Sequence, residues 1–120
     1  TPVSFDELSD ERKSEKSAAV RLRVSDARKK QSERFKNNEG IYANAQMSSR
    51  DLKKYAEIDQ AGKDLLKNAM EKLGLSARAY DRIIKVSRTI ADLENSENIE
   101  LEHLSEAIQY RSLDRENWAG

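Results

Sequence analysis

Residues 75–93, Leu-Ser-Ala-Arg-Ala-Tyr-Asp-Arg-Ile-Ile-Lys-Val-Ser-Arg-Thr-Ile-Ala-Asp-Leu, constrain the fold more than any other part of the chain. At about 100° per residue, Ala79, Ile83, Val86, Ile90 and Leu93 fall on one side of a helix. Tyr80, Ile84 and Ala91 widen that side to about half the circumference. The remaining arc carries Arg78, Arg82, Lys85 and Arg88, with Asp81 and Asp92 between them. A helix with so broad an apolar side belongs at the centre of a small bundle. Its polar strip must then meet water, a partner or a ligand.

The rest of the chain fits such a bundle. The 120 residues include only four Gly and one Pro, and Pro2 stands at the very start. Few breakers and no sustained apolar–polar alternation point to an all-α domain. Hydrophobic and charged residues each make up 37%, a balance suited to thin amphipathic helices. The 22 basic and 22 acidic residues cancel, which argues against a dedicated nucleic-acid module, whose affinity rests on neutralising phosphates. No apolar run approaches membrane-spanning length and the polar N-terminus has no signal-peptide core, so a cytoplasmic location without membrane contact is expected. The absence of cysteine removes disulfides, zinc–thiolate sites and thiol nucleophiles together.

Punctuation along the chain divides it into residues 1–40, 41–111 and 112–120. In the first part, Ser4 and Glu7 have capping-box spacing for a turn through Phe5–Leu8. A long helix then runs from about Ser9 to Phe35, with Val20, Val24, Ala27, Gln31 and Phe35 as a narrow stripe. Roughly 22 to 25 residues make a rod of about 33 to 38 Å. Gly40 is a natural stop, and Tyr42 is a candidate anchor in the loop from Ile41 to Met47. Ser48 with Asp51 opens a short helix to about Glu57. Asp59 caps the next, with Leu65, Leu66, Ala69, Met70 and Leu73 on its face, and Gly74 ends it. Ser76 caps the central helix, which stops near Glu94-Asn95-Ser96. Ile99 and Leu104 have the spacing of a hydrophobic staple. The last helix, with Leu101, Leu104, Ala107 and Ile108 inward, ends near Arg111. A flexible tail carrying Trp118 follows. The architecture expected is a long N-terminal helix followed by a four-helix bundle.

Several segments together resemble a known family. Leu75-Ser76-Ala77-Arg78-Ala79-Tyr80-Asp81-Arg82, then Arg88-Thr89-Ile90-Ala91-Asp92-Leu93, then His103-Leu104 with Glu106-Ala107-Ile108-Gln109-Tyr110-Arg111 resemble the C-terminal part of Mg-chelatase-like AAA+ ATPases. They look most like the ComM competence-protein branch. Ser17-Ala18-Ala19-Val20-Arg21, with Val24, Ala27-Arg28 and Asn44-Ala45-Gln46-Met47, extends the likeness over nearly the whole chain. The resemblance implies a helical lid that closes over a nucleotide held by a separate P-loop core domain. Arg78 stands at the position of the lid's sensor 2 arginine, which reaches the γ-phosphate of ATP. The family also implies Mg²⁺ with the ATP, a hexameric ring of neighbouring subunits, and remodelling of DNA or protein, which in the ComM branch is DNA branch migration. The long helix is similar to an insert that shifts the lid relative to the core.

The chain has no Gly-x-x-x-x-Gly-Lys-Ser/Thr loop and no apolar run ending in Asp-Glu. It is therefore expected to be a segment of a longer ATPase, with no hydrolysis and no tightly bound cofactor of its own. Arginine suits the γ-phosphate through its planar fork of donors, and a helix N-terminus adds a favourable dipole. The plainer reading of Arg78 is a surface cation that caps helix dipoles or pairs with Asp81 or Asp92. Arg82 and Arg88 are candidates for contact with the core domain or a neighbouring subunit, against a simple salt-bridged face. His103 has neither a second histidine nor a nucleophile beside it, so packing or hydrogen bonding is expected of it and no metal. The cations Arg21, Arg23, Arg28, Lys29, Lys30, Arg34 and Lys36 raise the possibility of DNA along the long helix. They are interleaved with Glu15, Asp26, Glu33 and Glu39 and have no aromatic ladder, which favours a solvated helix that docks elsewhere. The alternative for the whole chain is a non-catalytic helical module that binds protein or DNA without nucleotide.

Overall fold

The computed structural model describes the backbone of residues 5–119 and the side chains of residues 16–110. Among the described residues there are five α-helices and no strand: α1 (Phe5–Arg34), α2 (Ser49–Tyr55), α3 (Gln60–Leu73), α4 (Ala77–Leu93) and α5 (Leu101–Ala119). A 3₁₀ turn at Asn44–Gln46 precedes α2. The helix boundaries follow the local chemistry. Ser48 accepts from the Asp51 amide and Asp51 answers to the Ser48 amide, a reciprocal cap on α2. Asp59 caps α3 by accepting from the Gly62 amide, and Ser76 caps α4 by accepting from the Ala79 amide. Gly74 ends α3 at φ 62°, and the Leu75 amide returns to the Met70 carbonyl at 3.0 Å. Asn95 takes the same left-handed conformation after α4 (φ 60°), with Ser96 N–H donating to Ala91 O at 2.8 Å.

At the front, α1 is one continuous helix from Phe5, so the turn expected over Phe5–Leu8 merges with it. Ser4, its proposed cap, lies outside the described residues. At the back, α5 continues to Ala119, past the stop expected near Arg111. The backbone of most of the proposed tail is thus helical, and Trp118 lies outside the described side chains.

The central helix is α4. It packs against α5, α1, α2 and the 3₁₀ turn, while α3 packs on α5. The core comprises Phe35, Met47, Leu52, Ala56, Ile58, Leu66, Ile83, Ile84, Ala91, Ile99, Leu104 and Ala107. Ile99 and Leu104, buried on either side of the start of α5, form the expected staple. The close approach of α3 to α5 occurs at Gly62, where a Cβ would lie 2.9 Å from Leu104 Cδ1.

Four core expectations change. The buried arc of α4 is rotated: Ala79, Ile83, Ser87, Ile84, Ala91, Arg88 and Asp92 are inside, while Val86 is 42% exposed. Arg88 and Asp92 lie on the side that α1 and the 3₁₀ turn cover, so mutual pairing makes room for charge there. Ile90 and Ile108 are only half-buried, packed at the core's edge. Leu101 is 47% exposed, because α5 enters with its first position facing out. Tyr42 is 76% exposed and anchors nothing; Asn44 and Met47, both at 1%, hold that loop.

Candidate functional site

The first turn of α4 stands clear of the bundle on one side. Ser76 Oγ accepts from the Ala79 amide at 3.2 Å, fixing the turn, and Ala79 is buried beneath it. Arg78, the second residue of the helix, is exposed and makes no hydrogen bond or ion pair among the described residues. Of the plainer reading, the surface position holds, but neither paired carboxylate is in place. Asp81 accepts instead from Ser49 Oγ at 2.6 Å, and Asp92 lies about 21 Å away along the helix, at 1.5 Å per residue. Arg82 is likewise exposed. The two guanidinium groups are open to a partner that carries acceptor oxygens.

Arg88 belongs elsewhere. It is 5% exposed, so it does not face an outside partner, and both its terminal nitrogens are engaged within the chain. Nη1 donates to Glu97 O (3.0 Å), Nη2 donates to Ser96 O (2.9 Å), and Nη2 lies 3.1 Å from Asp92 Oδ1. Asp92, with no exposed side-chain surface, is the hub. Arg34 grips it with two donors, Nη2 to Oδ1 at 2.7 Å and Nη1 to Oδ2 at 2.8 Å. Asn44 Nδ2 donates to Asp92 Oδ2 (2.8 Å) and to Thr89 Oγ1 (3.1 Å), and Asn44 Oδ1 accepts from Arg34 at 2.8 Å. Gln31 Oε1 accepts from the Asn44 amide at 2.9 Å. Burial alone would raise the Asp92 carboxyl, but hydrogen bonds from Arg34 and Asn44 and the charges of Arg34 and Arg88 outweigh it and hold it below the ordinary carboxylate range. Burial also lowers Arg88, against the pull of Asp92. Among the described residues, Arg88 Nε is the one buried side-chain nitrogen or oxygen without a partner.

Sequence reasoning did not find this cluster. Its one local signal is the four-residue spacing of Arg88 and Asp92; Arg34 and Asn44 come from distant positions. A cleft of about 820 Å³ opens beside it, lined by Lys29, Lys30, Glu33 and Glu97 among others. Its lining mixes cations with carboxylates, and Arg34 and Arg88 are already engaged by Asp92.

His103 is 1% exposed and serves as a cap. Its Nδ1 accepts from the Glu100 amide at 2.9 Å, which leaves the ring hydrogen on Nε2, donated to Glu94 Oε2 at 2.7 Å. Glu94, Glu102 and His103 bring ligand atoms within 4.8 Å of one another. Both ring nitrogens are already engaged, so the histidine has no lone pair to offer a cation.

A long helix leading into a lid-type helical bundle is the architecture that sets the class. Residues 14–111 match the family described as magnesium chelatase, subunit ChlI C-terminal, and the chain belongs to that family. It is 40% identical over 103 residues to the "Uncharacterized protein YifB" of Salmonella typhimurium, covering 86% of this chain and 19% of that protein. It is 42% identical over 101 residues to the "Competence protein ComM" of Haemophilus influenzae, covering 84% of this chain and 19% of that protein. The chain therefore corresponds to less than a quarter of these relatives' length. No described helix is long and apolar enough to cross a membrane.

Proposed function

We propose that this chain is the lid of a Mg-chelatase-like AAA+ ATPase and that Arg78 is its sensor 2 arginine, contacting the γ-phosphate of ATP bound with Mg²⁺ by the P-loop core of the full-length protein. The observation that carries this reading is the exposed Arg78 guanidinium, without an internal partner, on a capped helix whose next residue is buried. A fixed base with a free fork suits a γ-phosphate oxygen. Loss of that oxygen on hydrolysis would release the grip, so lid position would report nucleotide state. When bound, ATP·Mg²⁺ supplies the phosphoryl group whose transfer does the work; this chain binds and senses. Arg82, one turn further on, contacts the core or a neighbouring subunit in the assembled ring, for which we propose a hexamer. The family resemblance and the relative named for competence support DNA remodelling of the branch-migration type as the full-length protein's task, in the cytoplasm.

The test is Arg78→Ala in the full-length protein. A charged hydrogen-bonding group contributes about 1.5–3 kcal/mol, so turnover should fall roughly 10- to 100-fold. The melting temperature should stay put, since Arg78 touches nothing inside the bundle. Unchanged ATP turnover would remove the lid-sensor reading and leave the non-catalytic module.

A further inference from the structure

We infer that the buried Asp92 cluster is the joint that sets the direction of α1 on the bundle, and that through α4 it positions Arg78; this rests on the phosphate-contact reading above. Lys16–Arg23 of α1 are exposed throughout, and only Ala27, with Phe35 just beyond the helix, is fully buried at the junction. So little apolar surface leaves the crossing angle weakly specified. The Arg34–Asp92 fork does specify it, because two parallel donor–acceptor pairs allow one relative orientation of the planes. Asn44 and Gln31 lock the intervening loop to the same point, and Arg88 ties in the turn after α4.

A buried ion pair is seldom the most stable filling for such a place, since apolar side chains of equal volume often do as well; defined geometry is what it adds. The helix α4 has neither Gly nor Pro between Ala77 and Leu93 and transmits that geometry as a rod to Arg78. The lever on the other side is long. A change of about 10° at Arg34 would move the far end of α1 by roughly 8 Å at 1.5 Å per residue. Whatever is joined to that end has its distance from Arg78 decided at Asp92. Asp92, Arg34 and Asn44 are thus positioning residues for the phosphate contact.

The experiment uses the full-length protein with Asp92→Asn, which keeps shape and removes charge, and Arg34→Lys, which keeps charge and removes the fork. Spin labels at the exposed positions Leu22 and Val86, in a background cleared of other thiols, report the angle between α1 and α4. The distance distribution should broaden or shift in both variants. ATP turnover should fall roughly 2- to 30-fold, the range for residues that couple without touching ligand. Adding Asp92→Asn to Arg78→Ala should bring no further loss, whereas a merely structural role would multiply the two defects. Lys36→Ala, at an exposed pair, should leave turnover intact. An unchanged distance distribution overturns the joint. A changed distribution with full turnover, where Arg78→Ala is impaired, overturns the positioning role. If Arg78→Ala itself turns over normally, the phosphate reading falls, and the label distances alone decide whether the joint stands.

Discussion

Asp92 concentrates more consequence than any other described residue. Two guanidinium groups and an amide converge on it, and each was desolvated to do so. Asp92→Ala would strand Arg34 and Arg88 in a buried place without their counter-charge, which costs about 3–5 kcal/mol. Urea unfolding of the chain would show the loss; a change below about 1 kcal/mol would mean that water reaches the site freely. The same carboxylate gives a pH signature. Its folded-state value is held below the ordinary range, so its stabilisation is complete above the unfolded value of about 3.9 and is lost as pH falls through the lower folded value. The stability gap between the native chain and Asp92→Asn should therefore be constant near neutrality and shrink below about pH 4. A gap that grew on acidification would contradict the sign. Gly62 is the other sensitive position. Its Cβ would meet Leu104 Cδ1 at 2.9 Å and Asp59 Oδ1 at 3.3 Å. Gly62→Ala should destabilise by roughly 1–3 kcal/mol through overpacking, despite alanine's better helix propensity. A stabilised variant in thermal melts would show that Leu104 yields easily.

At the scale of elements, the α3–α4 corner governs where Arg78 sits. Gly74 supplies the left-handed residue and Ser76 the cap, only two positions apart. Gly74→Ala should cost about 1–2 kcal/mol, because a Cβ is strained at φ 62°. Ser76→Ala should cost about 1 kcal/mol by orphaning the Ala79 amide. The two differ in what they disturb. Hydrogen exchange at the Ala79 amide should speed up most in Ser76→Ala, since that variant frees the first turn; equal protection in both would mean that packing of Ala79 alone holds the turn. His103 does for α5 what Asp51 does for α2, its Nδ1 accepting from the amide of the residue just before the helix, Glu100. The loop before α2 is held by polar atoms too, with Gln46 Oε1 accepting from the Tyr42 and Ala43 amides. Phe35 and Tyr55 meet edge-to-face at 5.2 Å and close the α1–α2 side.

On the scale of the whole molecule, the long first helix makes the shape, with extents of 60 × 40 × 27 Å. Val20 and Leu22 are exposed on it at 45% and 63%. In this chain Leu22→Ser should change stability by no more than about 0.5 kcal/mol, as for other surface positions. Chemical denaturation measures it, and a larger loss would reveal that the projecting half of α1 folds back on the bundle. The chain spans 19% of the length of the relatives it matches.

Much of the bundle could be read from local pattern. Ser48, Asp59 and Ser76 caps, the Gly74 stop and the Ile99–Leu104 staple are determined by residues three to five positions apart, and each stands as expected. So is the exposure of Arg78, because a polar residue at the mouth of an amphipathic helix has no inward option. What tertiary structure decided is which side of α4 is truly inside. Hydrophobicity placed Val86 in the core and Arg88 and Asp92 on the surface, since periodicity scores each side chain by its own affinity for water. Burial of the two charges depends instead on Arg34 and Asn44, brought from 58 and 48 positions away. Complementary charge can reverse the preference of a single residue, and only the folded chain brings the complement to it.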